Sequence, residues 1–220
     1  MAGTVTSLEP QKRSKDRVSV YLDDEFAFGL AGFVAMKLKV GEWLSDEIIA
    51  ELKAADGLER AHGRALDYLS YRPRSEAELR GYLDEKEFPE AVVTEVITRL
   101  EDAGLIDDAA FARYWRDNRA RFRPRGKRML QYELRQKGLS SNAIEDALNE
   151  YDEEAAVRAA AQQQLRRLQH LPPDECRRRL FQRLARRGFP YELIQETLAS
   201  QEFPQLNDGL SGGGLNGMVD

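Results

Sequence analysis

The side chains that carry most enzyme chemistry are scarce in this sequence, which holds two histidines, His62 and His170, and a single cysteine, Cys176. Neither histidine has a second His or a Cys at ligand spacing, so no zinc-type site is predicted. Both read as residues near helix ends. Cys176 lies between Glu175 and Arg177 on an arginine-rich helix. Such a setting can lower a thiol pKa, but no base accompanies it, and a structural thiol is the simpler reading. The acid pairs Glu101-Asp102 and Asp107-Asp108 fall at predicted helix ends, where capping and the helix dipole account for them better than general acid-base work. No Walker lysine loop occurs, and Gly212-Gly213-Gly214 has no strand before it or helix after it to build a phosphate cradle. The prediction is a binding protein that is not an enzyme and uses no cofactor and no metal.

Basic residues are the chemistry that remains. Residues 113–137 contain ten Lys and Arg against two acids, Asp117 and Glu133, a balance of +8. Residues 166–187 add eight Arg against Asp174 and Glu175. Residues 61–110 run the other way, with 6 bases and 12 acids. Charge sorted along a chain in this way speaks about partners rather than fold. Arg125, Arg128, Tyr132 and Arg135 stand at i, i+3, i+7 and i+10. On a helix that is one face, opposite Leu130 and Leu134. Such a face could engage phosphates and stack on bases. The matching positions of the preceding unit hold Arg74, Ala77, Gly81 and Asp84, so that unit lacks the face.

The candidate partner- or DNA-binding residues are therefore Arg119, Arg121, Arg123, Arg125, Lys127, Arg128, Tyr132 and Arg135, with Arg179, Arg183 and Arg186 from the second stretch. The competing reading is a solvated helix face paired with neighbouring glutamates. Ten bases interrupted by two acids weigh against it. Nothing in the pattern reads base edges, so any contact with DNA should be independent of sequence and sensitive to salt.

The elements that must carry these residues are repeated helices. The apolar set Leu79, Leu83, Phe88, Val93 and Ile97 returns 51 residues later as Leu130, Leu134, Leu139, Ile144 and Leu148. It returns after another 50 as Leu180, Leu184, Phe189, Ile194 and Leu198. Pro73, Pro124 and Pro173 precede the second helix of each unit, since the residue before a proline is driven out of the helical region. Gly138 and Gly188 end that helix in units two and three. Unit one has Glu87 there, so its turn is expected to close differently. Ser75 with Glu78 makes a capping box. Gly104 closes a third helix, and Asp107 caps the next. Units of this kind bury a shared face by stacking on their neighbours.

Ahead of the repeats, Arg17–Leu22 and Glu25–Leu30 alternate polar and apolar residues around Asp23-Asp24, which predicts a β-hairpin. Ser45-Asp46-Glu47 then caps a short helix. The predicted fold class is mainly α, an elongated tandem array of three three-helix, helix-turn-helix-like repeats with a small N-terminal β-hairpin and helix extension. The expected divisions are a flexible 1–16, the hairpin plus short helix 17–58, repeats at 59–106, 107–151 and 152–202, and a flexible glycine-rich tail 203–220.

With 220 residues, 42% of them hydrophobic, a core is within reach. The 32% charged residues exceed the common quarter and suit a shape with much surface. One cysteine allows no internal disulfide and fits a reducing compartment. No apolar run has the length of a membrane span, and the N-terminus lacks a signal-peptide core. A cytoplasmic protein with no membrane contact is the expectation.

Several runs of residues resemble a known family. Leu105-Ile106-Asp107-Asp108, Phe111-Ala112-Arg113-Tyr114, Gly126-Lys127-Arg128 and Leu134-Arg135-Gln136-Lys137-Gly138-Leu139 look like the central signature of the RecX regulatory proteins. Ala65-Leu66-Asp67-Tyr68-Leu69, Arg72, Ser75-Glu76, Glu78-Leu79 and Leu83 resemble their first repeat, and Leu184-Ala185-Arg186-Arg187-Gly188-Phe189 their last. The hairpin around Asp23-Asp24 is similar to an extension of longer members. The resemblance runs from about residue 17 to 200; Asp24, Glu87 and the glycine-rich tail depart from the family pattern.

The resemblance implies a monomeric modulator of the RecA recombinase that binds the RecA–single-stranded DNA filament along its helical groove. It implies inhibition of RecA ATPase and strand exchange, in DNA repair by homologous recombination and the SOS response. Direct contact with single-stranded DNA would be weak and independent of sequence. A general DNA-binding helical repeat protein is the alternative, and a pure protein scaffold the third reading.

Overall fold

The structure, a computed structural model, describes residues 2–12 and 14–200. The chain divides into two compact units at the Ile106/Asp107 boundary. The first unit opens with a four-stranded antiparallel sheet of order β3-β2-β1-β4, built from β1 (Gly3–Gln11), β2 (Ser14–Leu22), β3 (Glu25–Ala31) and β4 (Trp43–Leu44). A short helix, α1 (Gly32–Ala35), follows β3. The predicted hairpin is β2-β3. Asp23 and Asp24 both take positive φ, 49° and 71°, which is the turn whose twist matches the strands it joins.

Within the lead 1–16 expected to be flexible, residues 3–11 form β1. Val5, Ser7, Leu8, Glu9 and Pro10 pair with β2. The Asp23 carboxylate accepts from Thr4 N at 3.1 Å and the Thr6 hydroxyl from Asp24 N at 2.9 Å, tying the strand to the hairpin turn. Val5 joins Val20, Leu22, Phe28, Leu30, Leu44 and Ile49 in one buried cluster.

The helix that Ser45 caps is not short. α2 (Asp46–Ser70) runs 25 residues without a break, so the expected boundary at 58/59 falls inside a helix. Its first half packs on the sheet and its second half is the first helix of repeat 1. Buried Asp56 makes the connection: its carboxylate accepts from Ala31 N at 2.6 Å and from both Arg17 guanidinium nitrogens at 3.1 Å. Arg17 also reaches the Gly29 carbonyl at 3.0 Å.

Repeat 1 is completed by α3 (Glu76–Glu85) and α4 (Glu90–Asp102). Repeat 2 is α5 (Asp108–Phe122), α6 (Lys127–Gln136) and α7 (Ser141–Asn149). Repeat 3 is α8 (Glu153–Leu165), α9 (Pro173–Arg186) and α10 (Tyr191–Ala199). Fourteen of the fifteen apolar positions that define the repeat are buried, and Phe88 is half-buried. The apolar residues of repeats 2 and 3 form one continuous cluster from Phe111 to Leu198. The capping box of Ser75 and Glu78 forms, and Asp107 caps α5 by accepting from Ala110 N at 2.9 Å. Pro173 is the first residue of α9 rather than a residue ahead of it, a position where its missing N–H is no loss. The expected tail 203–220 lies outside the described residues.

The three middle helices end alike, which corrects the expectation for Glu87. Gly138 and Gly188 have φ of 81° and 85°, and Glu87 has φ of 61°. Glu87 N donates to Asp84 O at 2.8 Å and Phe88 N to Leu83 O at 3.3 Å, as Gly138 N does to Arg135 O at 2.9 Å and Leu139 N to Leu134 O at 3.3 Å. The common core forces the same turn, and the side chain at 87 accepts a left-handed backbone.

Repeats 2 and 3 are docked through bare backbone. Gly126 N donates to Arg187 O at 2.9 Å, and a Cβ placed at 126 would overlap the Gly188 carbonyl. Gly126 is the N-cap of α6 and offers no capping side chain. Glu153 of the next repeat supplies one, accepting from Lys127 N at 2.7 Å.

Two substitutions test this account. Glu87→Gly removes about 1 kcal/mol of left-handed strain and should raise the melting temperature by a few degrees. Gly126→Ala should lower stability by about 2 kcal/mol, because backbone rather than a flexible side chain has to yield. Gly63→Ala, which meets open space inside α2, should instead leave stability unchanged or raise it by about 1 kcal/mol. Thermal denaturation of the three variants checks all of these.

Candidate nucleic-acid interface

The predicted face on α6 exists in three members. Arg128, Tyr132 and Arg135 are exposed on one stripe, opposite buried Leu130 and Leu134, and Tyr132 keeps 59% of its surface. None of the three has an intramolecular polar partner among the described residues. Arg125 does not share the stripe, because it precedes the N-cap Gly126 and lies outside the helix. Its Nε sits 3.4 Å from a Glu133 carboxylate oxygen. Lys127 is half-buried at the first position of α6.

Glu133 holds more than Arg125. Its carboxylate accepts from Arg119 Nε at 2.7 Å and from Trp115 Nε1 at 2.8 Å. The Arg119 guanidinium lies 4.5 Å from the centre of the Trp115 ring, and Lys137 approaches the same ring at 5.3 Å. Arg116 is also committed, to Asp117 at 2.7 Å and to the Ala147 carbonyl at 2.8 Å. Arg116, Arg119 and Arg125 are thus tied down inside repeat 2, and a single glutamate holds two of the three. Arg121 and Arg123 remain exposed, with Arg121 placed 5.1 Å from the ring of exposed Phe122.

In repeat 3, Arg179 pairs with Glu175 at 2.6 Å one turn before it, Arg183 donates to Gln164 Oε1 at 3.1 Å, and Arg186 is exposed. These are not counterparts of the α6 stripe. The shift of 50 carries Arg128, Tyr132 and Arg135 onto Arg178, Gln182 and Ala185.

A gathering of five arginines escaped the sequence reading. A cleft of about 590 Å³ within unit 2 is lined by Phe122 at the end of α5, by Arg123 and Arg125 from the α5–α6 connection, by Gln163 and Gln164 of α8 with Arg166 and Arg167 just after it, and by Arg187 just after α9. Arg123 and Arg125 were among the candidates; Arg166, Arg167 and Arg187 were counted in the basic stretch but not singled out. Arg187 is half-buried and its guanidinium pKa is pushed below its ordinary value, first by burial and then by the charges of Arg125, Arg167, Arg123 and Arg183. It donates to the Pro124 carbonyl at 3.4 Å. The signal available in the sequence was Arg187 adjoining Gly188, the residue whose backbone receives Gly126.

Tyr151 holds one wall. Its hydroxyl donates to the Arg125 carbonyl at 2.7 Å, and burial pushes its pKa up from 10.0 to about 12. Other chemistry does not assemble. Cys176 is buried, and burial pushes its thiol pKa up despite the nearby Arg183 charge, which makes it a structural residue. His170 follows α8 as predicted, whereas His62 lies in the interior of α2 rather than near an end. Among the described residues, no three His, Cys, Asp or Glu are grouped to hold a metal, and no helix is long and apolar enough to cross a membrane.

The order of sheet and three-helix units is itself diagnostic. Family models match in that order: the RecX regulatory protein N-terminal domain over residues 3–45, then the first, second and third RecX three-helix domains over 61–100, 107–148 and 152–198. The chain belongs to the RecX family. Similar members include the regulatory protein RecX of Bacillus subtilis, 32% identical over 209 residues, which span 93% of this chain and 79% of that one. That of Limosilactobacillus reuteri is 32% identical over 216 residues, spanning 94% and 81%. A crystal structure of a regulatory protein RecX superimposes with a TM-score of 0.70 at 29% identity, covering 91% of this chain and all of that one. RecX from Lactobacillus salivarius gives a TM-score of 0.58 at 27% identity over 68% of this chain and 98% of that one.

The hub and the tyrosine are testable separately. Glu133→Gln keeps the shape but not the charge facing Arg119 and Arg125, so it should cost about 1–2 kcal/mol in thermal or urea denaturation and change Trp115 fluorescence. Tyr151→Phe should cost about 1 kcal/mol. The folded pKa of Tyr151 lies above its unfolded value. Its stabilising share is therefore full below pH 10 and lost as pH rises toward about 12. An alkaline titration by ultraviolet absorbance should show one tyrosine of the eight ionising late in the native protein.

Proposed function

We propose that this chain regulates RecA by binding the RecA–single-stranded DNA filament in its helical groove and inhibiting its ATPase and strand exchange. The observation that carries the reading is the succession of RecX domains along residues 3–198. The distribution of charge supports it and adds a division of labour. Repeats 2 and 3 expose Arg121, Arg123, Arg128, Arg135 and Arg186, which would face DNA phosphates or an acidic filament wall. Repeat 1 carries the acidic excess, much of it exposed, and would face basic protein surface. The chain would work as a monomer in the cytoplasm, with contact to bare single-stranded DNA weak and independent of sequence.

The second reading is a general DNA-binding repeat protein, favoured by the same basic surfaces and by the helix-turn-helix shape of each repeat. RecA's DNA-dependent ATPase, measured with and without the protein beside its affinity for bare single-stranded DNA, separates the two. Inhibition at concentrations that leave bare DNA unbound is the expected result. Saturation of bare DNA at or below the inhibitory concentration selects the general binder. Within the first reading, the combined substitutions Arg128→Glu and Arg135→Glu should weaken filament binding by about tenfold and flatten its salt dependence. They touch no internal contact, so unchanged binding refutes a role for the α6 face without an appeal to misfolding.

A further inference from the structure

The cleft at the junction of repeats 2 and 3 concentrates one sign of charge. Five guanidinium-bearing side chains line about 590 Å³, and the lining includes no carboxylate. Arg125 alone among the five has a carboxylate partner, Glu133 at 3.4 Å. Arg123, Arg166 and Arg167 are exposed, with no polar partner among the described residues. Arg187 donates to the Pro124 carbonyl, and burial first and then the charges of four neighbouring arginines lower its guanidinium pKa. Mutual repulsion of this kind is a standing cost, and an anion relieves it. Phe122 stands at the same cleft with 60% of its surface exposed.

We propose that this cleft binds the phosphate of a nucleotide, with Phe122 as the platform for the attached base. Guanidiniums that arrive from three segments can bond different oxygens of one tetrahedral phosphate, which a single helix face cannot do. An exposed phenyl ring beside them adds a flat apolar surface that a base covers and a carboxylate side chain does not. The nucleotide can belong to a single strand or be free; the recognition chemistry is the same. The assignment rests on the reading that repeats 2 and 3 meet DNA, since it names residues that would do so. It is tested on the chain alone, without RecA, so the two can fail separately.

The test measures fluorescence anisotropy of a short labelled oligothymidylate with the full chain, and its displacement by ATP and by polyglutamate. Arg166→Ala combined with Arg167→Ala should weaken binding by about tenfold and reduce the salt slope by roughly one to two. Phe122→Ala should weaken it by about fivefold or more. Arg113→Ala, an exposed arginine elsewhere on α5, should change it by less than about twofold. Arg187 is spared because its side chain also holds Pro124. Displacement by ATP at concentrations comparable to the oligonucleotide identifies a free nucleotide as a source and supports the assignment. Displacement by ATP only at large excess identifies the strand and supports it equally. Absence of binding to both probes overturns it, as does binding that ignores the double arginine substitution. Equal displacement by polyglutamate, with Phe122→Ala silent, overturns it in favour of an acidic protein.

Discussion

The contact on which unit 2 depends is made by two residues with no side chains. Where Gly126 meets Gly188, backbone lies against backbone, and the first atom of any side chain at 126 would occupy the space of a carbonyl. That closeness lets Gly126 N reach Arg187 O and brings Glu153 to the start of α6 in place of a local cap. It also decides where charge goes. Arg123 and Arg125 come just before one glycine and Arg187 just before the other, so closing the backbone contact presses their side chains into a common space. The arginine cleft is a consequence of how the repeats dock. Like charges are held together there because the shared apolar core from Phe111 to Leu198 outweighs their repulsion.

Charge in the basic segments is used in two ways. Arg116 and Arg119 reach from α5 to Ala147 O on α7 and Glu133 on α6, Arg116 also pairs with Asp117, and Arg125 joins Glu133 from the connection after α5. Arg121, Arg123, Arg128 and Arg135 are exposed and have no carboxylate partner among the described residues; Arg121 lies beside an aromatic face, and Arg123 lines the arginine cleft. A count of bases in a window cannot separate these roles, because the separation depends on one acid, Glu133, reaching three partners across two helices. Paired arginines add stiffness and exposed ones add field. A surface whose exposed cations stand on a scaffold of satisfied ones loses less entropy when it meets an anion.

Much of the fold was legible because the repeat is written in its core. Leu79, Leu130 and Leu180 occupy the same place in three units, and the periodicity that revealed them is the periodicity that buries them. The hairpin turn at Asp23-Asp24 was legible for a similarly local reason, since both residues tolerate the positive φ it needs. β1 was missed because Pro10, with the polar run after it, hides the alternation of Thr4, Val5 and Thr6. The length of α2 was missed because its two halves serve different cores. Gly57 and Gly63 both meet open space and leave the helix intact. The site was less legible than the fold. Tyr132 and its two arginines follow from helical spacing, but Arg166, Arg167 and Arg187 meet Arg123 only through tertiary contacts that no window of sequence contains.

Glu87 shows how far the core constrains what surrounds it. In the two other repeats a glycine takes the left-handed turn at no steric cost, and in repeat 1 a glutamate takes it at φ 61°. The turn survives because Leu83, Val93 and Ile97 on either side are buried in positions that only this reversal connects. The surface of repeat 1 has diverged in the same sense. Arg74, which corresponds to Arg125, lies 3.8 Å from the Tyr68 ring instead of reaching toward a cleft, and Asp84 stands where repeat 2 has Arg135. Core identity with surface divergence is what a repeat array requires if its units are to meet different parts of one partner.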